Sequence, residues 1–408
     1  MTTARLSADD AYNVDPNEAA KETVAMVLGE IPEVGVLLET LTKIFWPAKD
    51  NDVWDQIEQK VEALIRRDLS ELVYEQTQED LTGLMNVLSD YTEYAQSGHT
   101  PAQTSEHWTA AQEQFNASLP HFQAKGYEVL LLPLWAQAAN MHLGLLRDGV
   151  LFGRTWGWND TDYNSALKSL QNAIKDCTAW APRIFALGMA DALGQAGVSY
   201  HNCQPFRGGN DYRQQMMPAV LDLAARWPCF DPTAYPPPVS PDDLYLSREI
   251  YTDPVGTADD SGLFILPWQH PTQPISQLTV WSGTLIDAIQ VSYPAGGGPD
   301  KVTQTARMGS PTGGSSNVVT VTAGNPVVAV RVWAGDVIQG LSFTFKDGST
   351  SAHFGGTGGT RTDISFYDQD KKTGQILSSI YINGTSKYYQ CADAAVFGFQ
   401  DERSPANP

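Results

Sequence analysis

Between Glu128 and Arg147 the chain runs for eighteen residues, Val129 to Leu146, without a charged side chain. As a helix this stretch rises about 27 Å at 1.5 Å per residue, close to the roughly 30 Å of a bilayer core. A helix so apolar belongs either in lipid or inside a bundle of other helices. At about 100° per residue, Pro133, Gln137, Asn140, Gly144, Arg147 and Asp148 share one stripe, while Leu131, Trp135, Ala139, His142 and Leu146 take the other side. That pattern fits a helix surrounded by others that keeps a polar seam.

The neighbouring sequence supplies the surroundings. From about Pro16 to Pro228 apolar residues recur at three and four, predicting helices over Val53–Tyr74, Leu81–Gln96, Thr104–Leu119, Phe122–Arg147, Asp162–Leu193 and Tyr212–Arg226. Such stripes must pack on something, so six or seven helices in a bundle over 17–233 follow, after an N-terminal segment 1–16. The helix over Thr104–Leu119 carries Glu106, Gln112, Glu113 and Gln114, and the link PHFQAKGY joins it to the apolar helix as an antiparallel hairpin. Polar groups in lipid are costly unless they line water or protein. An inserted hairpin would therefore turn Glu106 and Glu113 to a lumen and the apolar helix to lipid, with Trp135, Gln137, Asn140, His142 and Gly144 in the membrane helix. Such a pore would favour cations. His142 reads equally as a hydrogen-bonded core histidine. No ligand-spaced His, Cys or acid lies beside it, so neither a metal nor a cofactor is expected.

A formal net charge of −21 sits mostly in this half, where residues 1–254 hold 35 Asp and Glu against 17 Lys and Arg. Phosphate binding needs a basic footprint, which excludes nucleic acid as a partner. The N-terminus lacks a basic start followed by an apolar core, so no Sec-type signal is expected and release would need lysis, a crystal or a dedicated exporter. The four cysteines have no CxxC spacing; a Cys203–Cys229 bridge and free buried thiols both remain open.

After Ala234 the pattern changes. YPPPVSP opens a linker and first strand over 234–256, and beyond it Val, Ile, Thr and aromatic runs alternate with Gly-rich turns. WSGTLIDAIQVSYPAGG from Trp281 overlays WAGDVIQGLSFTFKDGS from Trp333 without a gap, and Tyr381–Phe399 gives a looser third copy. Three such strand pairs predict an all-β, pseudo-threefold β-prism over 257–402, followed by a tail at 403–408, with a sandwich as the alternative.

QAANMHLGLLRDGVLFGRTWGW and the run from Met216 to Val255 resemble the three-domain insecticidal crystal toxins over about Asn17 to Gly256. The resemblance implies a seven-helix bundle around a hydrophobic central helix. In that family the fourth and fifth helices insert into gut-cell membranes and assemble as an oligomeric pore. Ile275–Gln400 is similar to jacalin-like lectins through ISQLTVWSGTLIDAIQVSY, Gly313–Gly314, VIQGLSFTFKDGS and ADAAVFGF. Their mannose-type members place a Gly four residues before the last-strand Asp; here Asp393 matches the Asp and Tyr389 replaces the Gly. Asp393, Tyr388, Tyr389, Gly296 and Gly297, with Trp281 and Trp333, are the candidate contacts for a glycan, glycolipid or glycoprotein receptor. Asp393 reads equally as a structural loop acid, equivalent in the repeat to Asp287. No third, β-sandwich domain is expected after the prism, so receptor binding is expected from the prism or bundle.

The expectation is thus an insecticidal pore-forming toxin acting at a target-cell membrane, with insertion triggered by binding, pH or proteolysis, for which Arg5 and Lys21 are candidate sites. A non-lytic lectin or adhesion protein with a helical spacer is the alternative. No GxSxG, HExxH or GKS/T motif is present, so an enzyme is not expected.

Overall fold

Proline decides where the central helix begins. The computed structural model describes residues 23–45, 71–96, 98–195, 204–244, 246, 248–257, 271–370, 373–384 and 389–402. Its principal helices are α1 (Val36–Phe45), α2 (Glu71–Gln96), α3 (Pro101–Ser118), α4 (Leu132–Phe152) and α5 (Asp160–Gln195). After them α6 (Gln204–Met216) runs through a π turn at Met217–Leu221 into α7 (Asp222–Arg226) and a 3-10 turn at Trp227–Phe230. Pro133 has no N–H and fits only a first helical turn, so α4 starts at Leu132 rather than at Phe122, and the upstream residues form a 3-10 turn at His121–Gln123 and further turns. Likewise α3 begins at Pro101, before Thr104, because Thr100 and Gln103 make a reciprocal capping box. The predicted helix over Val53–Tyr74 lies outside the described residues except for its last turn.

The chain divides into two compact units, Met1–Ala192 with Asp211–Leu246, and Leu193–Asn210 with Ser247–Pro408. In the first, α4 is enclosed, with every residue from Leu132 to Val150 buried. Leu37 and Leu38 of α1 close on Gly144, where a Cβ would lie 3.2 and 3.3 Å from them. Trp108 of α3 donates its Nε1–H to the Leu145 carbonyl at 2.6 Å and packs on Gly149, where a Cβ would sit 2.6 Å from the indole. Trp180 of α5 and Trp227 pack on Trp135, with ring centroids 4.1 and 5.8 Å away. The 211–246 stretch also folds onto helices: Val239 N–H bonds Leu28 O at 2.8 Å, and Arg226 Nε–H bonds Leu244 O at 3.2 Å. Cys229 is a free, buried thiol 3.7 Å from the Asp243 carbonyl, while Cys203 lies outside the described residues.

Among the described residues the second unit forms three antiparallel sheets that share an apolar core, which is the expected prism and not the sandwich. The first sheet orders β5 (Met308–Gly309), β4 (Ile286–Ser292), β3 (Gln277–Ser282) and β6 (Ser315–Thr320). The second orders β9 (Phe354–Gly355), β8 (Ile338–Phe345), β7 (Val327–Ala334) and β10 (Thr360–Ser365). The third runs β1 (Glu249–Tyr251), β13 (Ala394–Asp401), β12 (Thr373–Ile382) and β11 (Tyr367–Asp368), with β2 (Val255–Gly256) also on β13. The internal repeat becomes geometry here. Trp281 pairs with Ala288 and Trp333 with Gly340, each one step before a bulge. Gly309, Gly355 and Gly256 have φ of +106°, +76° and +92°, and a Cβ on each would lie 2.5, 2.2 and 2.3 Å from the carbonyls of Asp287, Gln339 and Asp393. A glycine is therefore required at the same place in all three copies.

Candidate functional site

The helical candidates fall into an exposed set and a dry one. Glu106 and Glu113 are exposed on α3, whose opposite face buries Thr104, Trp108, Ala111 and Phe115. The antiparallel hairpin is formed, since Trp108 meets Leu145 and Phe115 stacks on His142 at 5.1 Å with the rings 13° apart. Trp135, Gln137, Asn140, His142 and Gly144 are all buried.

The stripe on α4 faces protein along its length. Asn140 Oδ1 accepts from Trp227 Nε1–H at 3.2 Å, Gly144 meets α1, and Asp148 Oδ2 accepts from Gly35 N–H at 2.8 Å and Tyr91 O–H at 3.0 Å. Among the described residues, Asn140 Nδ2, His142 Nε2 and Arg147 Nη2 are buried without hydrogen-bond partners. Burial lowers the His142 pKa to about 4, so the imidazole is neutral in the folded chain. Among the described residues, no helix is long and apolar enough to cross a membrane, and no group of three or more His, Cys, Asp or Glu could hold a metal. Arg147 and Asp148 within the last turns of α4 are what its length alone does not reveal.

In the prism, the sequence-derived glycan residues separate. Asp393 is 2% exposed, whereas Tyr389 is 56% exposed. Gly297 is buried against Gln273, and its carbonyl is taken by the amides of Thr272 and Gln273 at 2.7 and 3.1 Å; Gly296 supplies the turn beside it with φ +74°. Tyr388 lies outside the described residues.

The equivalent acid of the first repeat stands in a different setting. Asp287 is half-buried, and Gly283 stands four residues before it, the spacing absent at Tyr389 and Asp393. Gly313 and Gly314, at φ +90° and +67°, lie against its carboxylate, so a Cβ on them would sit 3.0 and 2.6 Å from its oxygens. Arg307 lies over the Trp281 ring at 4.4 Å and donates from Nη2 to Gly313 O at 2.8 Å. Burial raises the Asp287 pKa, while the Arg307 charge and the Gly283 backbone pull it down. A half-open carboxylate, bare glycine backbone and an indole together can accept hydroxyl protons and stack on a C–H face. The second copy keeps the arrangement with different chemistry: Gln339 against Gly358, and Trp333 edge-on to His353 at 4.6 Å. The signal for Asp287 was present in sequence as GTLID, but only burial separates it from Asp393.

Residues 23–231 match the family described as delta endotoxin, N-terminal domain, and residues 260–385 match the jacalin-like lectin domain. Pesticidal crystal protein Cry1Id of Bacillus thuringiensis is 32% identical over 243 residues, covering 57% of this chain and 32% of that protein. Cry7Ab of Bacillus thuringiensis subsp. dakota is 30% identical over 226 residues, covering 53% of this chain and 19% of that protein. The chain thus spans between a fifth and a third of the length of these relatives. Among solved structures, the Bacillus thuringiensis insecticidal crystal protein Cry7Ca1 superposes with a TM-score of 0.73 at 19% identity, covering 96% of this chain and 75% of that one. PirB superposes at 0.62 with 14% identity, covering 96% and 95%. Both show likeness of fold.

Proposed function

The chain belongs to the delta endotoxin N-terminal domain family, and on that premise we propose that it is an insecticidal pore-forming toxin whose α3–α4 hairpin enters a target-cell membrane. The observation that supports this reading is the hairpin itself, an outward acidic face on α3 packed against a fully enclosed apolar α4. Because α4 carries Arg147 and Asp148 near its end, a single hairpin gains little in lipid alone. Several copies, with α3 facing a shared lumen, satisfy those charges in water or protein. In this reading residues 17–233 act in the membrane, and the prism over 257–402 concentrates the protein on a glycosylated surface without enzymatic chemistry.

The test is dye release from vesicles containing brush-border glycolipids, with and without trypsin, from neutral to alkaline pH. Dose-dependent release is expected. Gly83 of α2 faces Gln114 of α3, where a Cβ would be 3.1 Å from Nε2. A reversible cross-link between Gly83→Cys and Gln114→Cys should abolish release until reduced. Undiminished release by the cross-linked protein sinks the hairpin reading. Retained vesicle binding with no release under any condition favours the non-lytic lectin reading instead, which the lack of a membrane-length apolar helix among the described residues also suits.

For glycan contact, Asp287 and Trp281 carry the proposal in preference to Asp393. Asp287→Asn or Trp281→Ala should weaken binding to a glycan array at least tenfold, about 1.4 kcal/mol, with the fold intact. Equal binding by both variants would remove this site from the reading.

A further inference from the structure

Asp148, near the end of α4, is 3% exposed and joins three helices. Its Oδ2 holds both the Gly35 amide, which opens α1, and the Tyr91 hydroxyl of α2. Gly35 has φ +73° and lies where a Cβ would be 3.2 Å from Ala95 of α2, so α1 starts in contact with α2 as well as α4. Around the carboxylate, α2 contributes Tyr91 and α4 contributes Arg147, whose side chain is itself buried, its Nη2 unpartnered among the described residues. The charged residues of α1, Glu39 and Lys43, pair with each other instead, and α3 brings the neutral Trp108 to the adjoining Gly149. Asp148 therefore has two neutral donors and, among the described residues, no ion pair.

We propose that Asp148 is a charge-gated tie: as a neutral acid it keeps α1 and α2 on α4, and as a carboxylate it favours release of α1. Two hydrogen bonds do not replace the hydration a carboxylate loses on full burial, and local opening restores it. Burial accordingly pushes the Asp148 pKa up to about 6, against the opposing pull of Arg147, Gly35 and Tyr91. A folded-state value above the unfolded one means that the stabilisation is complete below about 3.8 and is lost as pH rises through about 6. The tie rests on the pore-forming reading only for its purpose, which would be to loosen the cover of the hairpin on the alkaline side.

Hydrogen exchange on the full chain, followed in peptides over α1 from pH 4.5 to 8 and corrected for intrinsic rates, tests it. The protection factor should fall about 30-fold over this range as Asp148 ionises. Asp148→Asn should abolish the fall. Tyr91→Phe, which removes a donor to the carboxylate, should keep the fall and move its midpoint to higher pH. A level parent profile, an equal fall in Asp148→Asn, or an unmoved midpoint in Tyr91→Phe overturns the proposal. Dye release run in parallel separates the two readings: loss of protection without release leaves the tie standing and sinks the pore, and release at pH-independent protection sinks the tie alone.

Discussion

Relative to the parent, His142→Gln should lose about 2 to 3 kcal/mol of stability as pH rises from 4 to 6.5. Two buried groups on α4 titrate in opposite senses across that window. The His142 pKa is lowered to about 4 from an ordinary 6.5, so the unfolded chain binds the extra proton and stability drops as the medium is acidified. The Asp148 pKa is raised to about 6 from 3.8, so the folded chain binds the extra proton and stability drops as pH rises. Across that window each contribution changes by about 2 to 3 kcal/mol, with opposite sign. His142→Gln exposes the Asp148 slope, and Asp148→Asn exposes the opposite one. Groups common to all three proteins drop out of the comparison. Urea midpoints of the helical unit, followed by tryptophan fluorescence at pH 4 to 7, measure the slopes. Parallel profiles for His142→Gln and the parent would mean that the imidazole is not held neutral.

The contrast between His142 and Asp148 also shows what a sequence reveals and what it does not. The uncharged run Val129–Leu146 announces an enclosed helix, because only a full ring of partners or lipid can cover it. The Trp281 and Trp333 repeat announces the prism for a comparable reason: one strand pair cannot bury its own apolar face. Sequence separation hides the rest. Asp148 finds Gly35 113 residues away and Tyr91 57 residues away, and no periodicity relates them. Asn140 looks like part of a wet seam until Trp227, 87 residues on, is seen to fill it. Asp393 and Asp287 occupy equivalent repeat positions, yet one is buried and the other half-buried, a difference the repeat itself does not encode. The start of α4 was legible in principle, since Pro133 is a stronger signal than the apolar periodicity that runs back to Phe122.

Gly188→Val is expected to destabilise the helical unit by about 3 kcal/mol or more, at the severe end for overpacking. Gly188 sits in the interior of α5, where glycine is ordinarily unfavourable by up to about 1 kcal/mol relative to alanine. The reason for it is Tyr212: a Cβ at 188 would lie 2.0 Å from its hydroxyl oxygen, 2.4 Å from Cζ and 2.7 Å from Val129 Cγ1. The Tyr212 ring cannot swing aside, because the residue is fully buried and rests against Phe185 at 5.4 Å. Its hydroxyl has no hydrogen-bond partner among the described residues, so Tyr212→Leu loses packing but breaks no hydrogen bond there. In a double-mutant cycle, Tyr212→Leu should therefore recover at least about 1 kcal/mol of the Gly188→Ala loss. Gly194, on the same helix with nothing within 4 Å of a would-be Cβ, provides the opposite expectation: Gly194→Ala should be neutral or stabilise by up to about 1 kcal/mol. Equal midpoint shifts for the two glycines would show that helix propensity, rather than the approach of Tyr212, sets the residue at 188. Unequal shifts without coupling to Tyr212 would instead move the obstruction to Val129, next to the segment that leads into α4.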